Sequence, residues 1–128
     1  MILTIRGKVS SGLGEGKKFT ELDWFIREVE KRLGFKPSSG TLNILVPHSI
    51  GIGNLLLKIG GWCIPERNGY FSAKLYEAKI SKKISGGIVR PDIPSYPEDL
   101  IEVVAPVNLR KELGLQDGDA VEVQIRLK

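Results

Sequence analysis

Three glycines alternate in the loop after the first predicted strand, at Gly12, Gly14 and Gly16, and Lys17 follows them. Glycine has no side chain, so main-chain N–H groups in such a loop can come close to an anion. The lysine adds positive charge that suits phosphate oxygens. The spacing matches neither the dinucleotide-binding motif nor the phosphate-binding loop that ends in Gly-Lys-Ser/Thr. Taken alone, the pattern favours a turn, with a phosphate cradle as the alternative.

Thr41 and Asn43 are two residues apart in a predicted strand, so their side chains point to the same side. A hydroxyl and an amide oxygen suit a hard cation such as Mg²⁺. Two neutral ligands are too weak to hold Mg²⁺ unaided, and they suit an ion whose charge is balanced mainly by substrate phosphates. Without further information, a polar strand side that faces solvent is the favoured interpretation.

The stretch from Tyr96 to Arg110 carries the carboxylates of Glu98, Asp99 and Glu102. It also opens a short predicted helix, whose free N–H groups could bind an anion, with Pro106 setting the entry geometry. Solvated surface charges are the alternative interpretation of these residues.

Length and composition exclude several classes of protein. The chain has 128 residues, 19 Lys and Arg against 15 Asp and Glu, and a net charge of +4. It is too short for a two-half dinucleotide fold, a protein-kinase fold or a barrel of roughly 250 residues. One cysteine and one histidine exclude an intrachain disulfide, a thiolate cage and a His–His metal site. We expect Cys63 to be a core thiol and His48 a loop residue.

The pI near 9.3 suggests an anionic partner, which charge alone does not identify as nucleic acid, nucleotide or phosphate. No apolar run approaches the roughly 20 residues that span a bilayer, and the N-terminus reads as a strand rather than a signal peptide. We therefore expect one cytoplasmic domain over residues 1–128 that does not contact a membrane.

Two helices are predicted to interrupt a series of strands. The first follows a capping box at residues 20–23, presents an apolar face that runs from Leu22 to Leu33, and ends at Gly34. The second covers Val107–Leu113 and ends at Gly114. Asn68-Gly69 predicts a two-residue hairpin turn. The predicted strands are 2–9, 40–46, 62–67, 70–80, 84–89, 100–104 and 120–127. Short strands in this number favour a small, closed, mainly antiparallel barrel that hides its edges.

Five segments occur together and in order along almost the whole chain: Ser11–Gly16, Gly40–Asn43, Gly86–Val89, Ile101–Arg110 and Leu113–Asp119. In this combination the chain resembles the CTP-dependent riboflavin kinases of archaea. The resemblance implies a mainly β fold, a six-stranded cradle-loop (RIFT-type) barrel with one or two short inserted helices. It also implies transfer of the γ-phosphoryl group of CTP to the 5′-hydroxyl of riboflavin, with Mg²⁺, to give FMN and CDP.

The resemblance also assigns site residues. Thr41 and Asn43 look like the Mg²⁺ ligands, and Ser95 and Glu102 look like flavin contacts. The family has Thr at the position of Ser95 and often Arg at that of Lys17, so this chain keeps a hydroxyl and a charge there. Glu102 is our hypothesis for the catalytic carboxylate that orients or accepts the proton of the ribityl hydroxyl. The residues that look nucleotide-binding are Gly12, Leu13, Gly14, Glu15, Gly16 and Lys17, and then Ala105, Pro106, Val107, Asn108, Leu109 and Arg110.

The partners expected on this basis are riboflavin or FMN and CTP or CDP, with no nucleic acid, and a monomer is expected. The principal rival is a DNA-binding regulator, because residues 109–121 resemble the hairpin of swapped-barrel transcription factors. Against it, the basic residues are spread along the chain rather than gathered into one stripe. A third hypothesis is a flavin-binding module without catalysis.

Overall fold

A computed structural model describes residues 1–11, 19–67 and 69–127. Within these ranges, three α-helices and one short 3₁₀ turn, His48–Ile50, accompany seven strands. The helices are α1 (Asp23–Leu33), α2 (Ile52–Ile59) and α3 (Leu109–Leu113). The strands are β1 (Ile2–Ser10), β2 (Leu42–Leu45), β3 (Trp62–Ile64), β4 (Ala73–Ile80), β5 (Ile84–Pro91), β6 (Leu100–Val104) and β7 (Ala120–Arg126).

Six of the strands form a closed barrel. They pair antiparallel in the order β4-β5-β6-β2-β1-β7. The last strand, β7, also pairs with the first, β4, and this closes the ring. β3 extends the sheet beyond β4 as a seventh strand. The predicted fold class, a mainly β closed six-stranded barrel with short helices, is confirmed. Closure removes the free edges that so many short strands would otherwise expose.

Alternation along the strands divides the apolar residues into two layers. Ile101 and Val103 of β6 point into the barrel, where they join the larger core cluster. Val104 points outward and belongs to a second cluster, in which Phe25 and Val29 of α1 cover the outside of the barrel. The expected packing face of the first helix is therefore confirmed.

The ends of α1 depart in part from the prediction. Gly34 ends the helix in the left-handed conformation at φ +81°, as expected. The predicted capping box is wrong, because the helix begins at Asp23 and no side chain caps Leu22. The Thr20 hydroxyl instead accepts a hydrogen bond from the Gly40 amide at 2.6 Å. That bond ties the approach to α1 to the approach to β2.

Helix α2 was not predicted, although the spacing of Ile52, Leu55, Leu56 and Ile59 is helical. Ile52 and Leu56 are buried in the barrel core, and glycines in the left-handed conformation flank the helix on both sides. The run is only eight residues long, and a short apolar run reads equally well as a strand.

The hairpin predicted at Asn68-Gly69 is confirmed for the residues that the structure describes. Arg67 and Tyr70 exchange both main-chain hydrogen bonds, and Gly69 has φ +82°. Asn68 lies outside the described residues. The expectation for Cys63 is wrong, because this residue is exposed on β3, the outermost strand of the sheet. A strand paired on one side only leaves part of its surface open to solvent.

Among the described residues, no helix has the length and apolar character that a membrane crossing requires.

Candidate active site

Ser10, Asn43 and Glu102 form a row across three neighbouring strands. Ser10 of β1 pairs with Asn43 of β2, and Asn43 pairs with Glu102 of β6. Paired residues of antiparallel strands have Cα atoms about 5 Å apart and side chains on one face. Ile44 and Ile101, which adjoin the row, are fully buried in the core, so the row lies on the outer face of the barrel.

Three side-chain oxygens meet at this row. The Thr41 hydroxyl oxygen lies 3.1 Å from Asn43 Oδ1 and 3.1 Å from Glu102 Oε1. A hydroxyl has one proton and can donate it to only one of these acceptors at a time. The Thr41 proton therefore satisfies one of these two acceptors at a time, and all three oxygens are of the kind that hard cations prefer. These residues fit a Mg²⁺ site in which Thr41 and Asn43 are neutral ligands and the Glu102 carboxylate lies beside them.

Tyr96 holds the other oxygen of Glu102. Its hydroxyl donates to Glu102 Oε2 at 2.7 Å. Burial, and next the negative charge of Glu102, raise the pKa of Tyr96 far above its ordinary value, so the phenol remains a donor at neutral pH. With Thr41 on one oxygen and Tyr96 on the other, the Glu102 carboxylate is oriented from both sides.

Arg90 supports Tyr96 from the side of β5. Its guanidinium carbon lies 5.0 Å from the centre of the Tyr96 ring, within cation–π range. The same guanidinium donates to the Leu100 carbonyl at 3.0 Å. Ser95, the predicted flavin contact, precedes Tyr96 and is exposed. The loop that carries Ser95 is therefore connected through Tyr96 to Glu102.

The predicted nucleotide segment 105–110 forms one wall of a cavity of about 210 Å³. Residues 38–42 form the facing wall, and the Ser38 amide donates to the Ala105 carbonyl at 2.7 Å. The side chains of Ala105 and Leu109 are buried in the barrel core. Ala105 and Leu109 line the cavity although they are largely buried, whereas Pro106 and Asn108 are exposed.

The start of α3 differs from the sequence prediction. The helix begins at Leu109 rather than at the predicted Val107, so Pro106 does not directly precede it. Asn108 is the N-cap, and its side chain accepts a hydrogen bond from the Lys111 amide at 3.2 Å. The cap satisfies one of the N–H groups that had been expected to bind an anion. Gly114 ends the helix at φ +63°, as predicted.

Asp117 contacts both Ser11, just after β1, and Arg110 of α3. Gly12, Leu13, Gly14, Glu15, Gly16 and Lys17 lie outside the described residues. The hydroxyl of Ser11, which directly precedes them, donates a hydrogen bond to Asp117 Oδ2. Arg110 donates to Asp117 Oδ1 at 2.7 Å and to the Ser10 carbonyl at 3.3 Å. The end of β1 and the start of α3 therefore share one carboxylate.

Comparison with known proteins identifies the family. A family model named CTP-dep_RFKase, described as domain of unknown function DUF120, matches residues 9–125. A protein of Sulfurisphaera tokodaii named riboflavin kinase is 39% identical over 98% of this chain and 97% of its own length. The chain belongs to the CTP-dependent riboflavin kinase family. The resemblance predicted from the sequence motifs is confirmed.

Two longer relatives are also named riboflavin kinase. The protein of Pyrobaculum islandicum is 46% identical over 99% of this chain, and that of Methanocella arvoryzae is 42% identical over 94%. This member of the CTP-dependent riboflavin kinase family spans 63% of the first protein and 56% of the second.

Sequence reasoning missed two residues that contact the predicted site residues, Tyr96 and Asp117. The only signal for Tyr96 is its position between Ser95 and Glu102. Asp117 precedes Gly118, and this pair by itself indicates only a turn. Both contacts join residues of separate elements, which periodicity along the chain does not reveal.

The other carboxylates of the 96–110 stretch do not join the oxygen cluster. Asp99 pairs with His48, whose Nδ1 lies 3.1 Å from Asp99 Oδ1. His48 is exposed and lies in the 3₁₀ turn, which agrees with its interpretation as a loop residue. Among the residues described, no group of three or more His, Cys, Asp or Glu side chains could hold a metal ion.

Proposed function

We propose that this chain is a riboflavin kinase that transfers the γ-phosphoryl group of CTP to the 5′-hydroxyl of riboflavin, giving FMN and CDP. The observation that carries the proposal is the meeting of Thr41, Asn43 and Glu102 on one face of the barrel. The row runs from Ser10 of β1 to Glu102 of β6, which the Tyr96 hydroxyl connects to the loop that carries Ser95. The names of the relatives support the substrate, and the name of the family supports CTP as donor.

Thr41 and Asn43 would hold Mg²⁺, with the Glu102 carboxylate beside them. When bound, the ion would neutralise charge on the phosphates of the nucleotide. Neutral ligands suit this task, because substrate phosphates and water then supply most of the coordination.

The nucleotide would lie along the wall formed by residues 105–110. Ala105, Val107, Asn108 and Leu109 line the cavity there. Arg110 adds the positive charge that the phosphate chain requires, and Asp117 holds its guanidinium in place. Phosphoryl transfer depends mainly on such positioning and charge neutralisation.

Glu102 would accept the proton of the 5′-hydroxyl as that oxygen attacks. A bond forms between the hydroxyl oxygen and the γ-phosphorus, while the bond from that phosphorus to the β-phosphate oxygen breaks and CDP leaves. The hydrogen bonds from Thr41 and Tyr96 orient the Glu102 carboxylate toward one position. A fixed base lowers the barrier because no reorganisation is needed at the moment of transfer.

The proposal is tested by incubating the protein with riboflavin and Mg²⁺ and, separately, CTP, ATP, GTP or UTP. Chromatography with fluorescence detection then measures FMN. FMN with CTP alone supports the proposal, whereas FMN with a different nucleotide alone would correct the donor. Riboflavin or FMN binding without nucleotide consumption would indicate a flavin-binding module. Salt-sensitive binding of duplex DNA, with no FMN formed, would favour the regulator.

Replacing the proposed metal ligands should abolish turnover in a folded protein. The double variant Thr41→Val, Asn43→Leu keeps side-chain volume and removes both neutral oxygens. We expect FMN formation to fall at least about 100-fold, since metal-assisted charge neutralisation contributes several kcal/mol to such reactions. Titrating Mg²⁺ in the assay measures whether the ion requirement has changed.

A matched control lies elsewhere on the same barrel. Thr4 of β1 and Gln124 of β7 are also paired neighbours, with the same combination of hydroxyl and amide. The variant Thr4→Val, Gln124→Leu should keep its turnover. An active Thr41→Val, Asn43→Leu protein would refute the ligand role of the pair.

A further inference from the structure

The Asp117 carboxylate uses its two oxygens on two different segments of the chain. Oδ2 accepts from the Ser11 hydroxyl at the end of β1, and Oδ1 accepts from Arg110 in α3. The Ser11 hydrogen bond and then that of Arg110 lower the pKa of Asp117, so the carboxylate is ionised at neutral pH. Ser11 is 106 residues away from Asp117 along the chain, so the sequence alone does not reveal this contact.

The turn that carries Asp117 is held by its main chain. The Gly118 amide donates to the Val9 carbonyl at 2.8 Å, and the Val9 amide donates to the Asp119 carbonyl at 2.9 Å. Asp119 closes the turn by accepting from the Gln116 amide at 2.8 Å. Gly118 adopts φ +90°, which a residue with a side chain would resist. Asp117 is therefore presented from a rigid base rather than from a free loop.

We propose that Asp117 is a positioning residue for the phosphate chain of the nucleoside triphosphate, because it sets the distance between Ser11 and Arg110. This inference rests on the proposed kinase function. Ser11 leads directly into the predicted nucleotide segment Gly12–Lys17, and Arg110 ends the other segment. Arg110 also donates to the Ser10 carbonyl, so its guanidinium contacts both Asp117 and the residue that precedes Ser11.

The contact serves ligand binding more than folding. The side chains of Arg110 and Asp117 are 39% and 56% exposed, and exposed ion pairs contribute little to stability. An arginine that is hydrogen-bonded to a carboxylate is, however, limited to a few orientations. Such preorganisation reduces the conformational entropy that the side chain loses when the nucleotide binds. Loss of Asp117 should therefore weaken nucleotide binding in a protein that still folds.

The test is Asp117→Asn, which keeps the size of the side chain and removes its charge. We expect the KM for CTP to rise about fivefold, the range of one exposed charged contact. The kcat and the KM for riboflavin should stay within twofold of the wild-type values. Calorimetric titration with CDP should give a Kd that rises by the same factor as the KM. A purely structural role would instead alter both substrates together and lower the melting temperature.

The matched control is Glu77→Gln, which breaks the exposed pair between Glu77 and Arg126. Its CDP affinity should equal that of the wild type.

An additional variant introduces Asp117→Asn into an Arg110→Gln background. There, Asp117→Asn should raise the Kd for CDP by less than twofold. CDP affinity of Asp117→Asn equal to that of the Glu77→Gln control would overturn the positioning role, even if the wild type makes FMN. Tight CDP binding by the wild type without FMN formation would reject the kinase proposal alone, and absence of CDP binding would reject both.

Discussion

The Glu102 carboxylate illustrates how neighbouring residues fix the orientation of one side chain. It is partly buried, accepts from Tyr96 on one oxygen and lies 3.1 Å from the Thr41 hydroxyl on the other. Hydrogen bonds to an ionised group are about twice as strong as neutral ones. The two donors therefore restrict the carboxylate to one orientation, with Asn43 beside it. In the proposed reaction, this orientation aims the proton acceptor at the ribityl hydroxyl.

Variants at this carboxylate should form a graded series. Glu102→Gln removes the base, and we expect kcat to fall about 100-fold or more. Tyr96→Phe removes only one supporting donor, and we expect kcat to fall about tenfold with an unchanged KM for CTP. Steady-state kinetics of FMN formation at saturating CTP measures both effects.

Tyr76→Phe is the control for this series. Its hydroxyl is also buried and bonded, but to the Leu56 carbonyl of α2. This variant should lose stability and keep its kcat. If Glu102→Gln turned over at nearly the wild-type rate with normal riboflavin affinity, Glu102 would not be the base. If Tyr96→Phe and Tyr76→Phe had equal kcat values, the proposed support from Tyr96 would be wrong.

At the scale of elements, α1 reaches the outer face of the barrel because β5 has a glycine, Gly87, where the two meet. A Cβ added at Gly87 would collide with the side chain of Leu33 from α1. A Cβ added at Gly86 would lie only 2.5 Å from the Val104 carbonyl. The first collision involves the tip of a flexible side chain, whereas the second involves main chain held in the β5–β6 ladder.

Alanine substitutions at these two glycines should therefore differ. Gly86→Ala should lower the free energy of unfolding by about 1–3 kcal/mol, because the carbonyl cannot move away without breaking the ladder. Gly87→Ala should lower the free energy of unfolding by a smaller amount, because the Leu33 side chain can rotate away. Urea denaturation gives both values, with Ser85→Ala, at an exposed neighbouring position, as the control expected to stay within about 0.5 kcal/mol. A larger loss for Gly87→Ala would contradict this account of the packing.

Element prediction from the sequence was good where one residue type dictates the backbone. Gly34 and Gly114 end helices in the left-handed conformation, as their positions indicated. It was poorer where the tertiary structure supplies a partner. Thr20 lies in a sequence that resembles a capping box, yet its hydroxyl accepts from Gly40. Local propensity cannot rank a cap against a partner 20 residues away.

At the scale of the whole molecule, the pairing of β2 with β6 also brings His48 close to Asp99, which is 51 residues away along the chain. His48 follows β2 and is bound to Asp99, which directly precedes β6. The hydrogen bond and then the charge of Asp99 raise the pKa of His48 above its usual 6.5. A raised pKa means that this contribution to stability is present below pH 6.5 and is lost as the pH rises through the folded-state pKa.

Since the chain has one histidine, its titration can be assigned without ambiguity. A proton NMR titration of the imidazole should give a pKa above 6.5, and Asp99→Asn should bring it back toward that value. In denaturation experiments between pH 6 and 8, the wild type should lose stability with rising pH more than His48→Gln does. An unshifted pKa in the wild type would contradict the ion pair.

The sequence by itself determined the seven strands and two of the three helices that the structure describes, but not α2. Alternating apolar residues specify strands, glycines specify helix ends, and the number of short strands requires a closed barrel to hide their edges. Its motifs also located Thr41, Asn43 and Glu102 as candidates for chemistry. Only the tertiary structure decided that these three meet, that Tyr96 contacts Glu102, and that Asp117 contacts both Ser11 and Arg110. The pairing of Asn43 with Ser10 and Glu102 depends on strand register, which is set by packing around the whole barrel. Such contacts join residues far apart in sequence, so no local pattern records them.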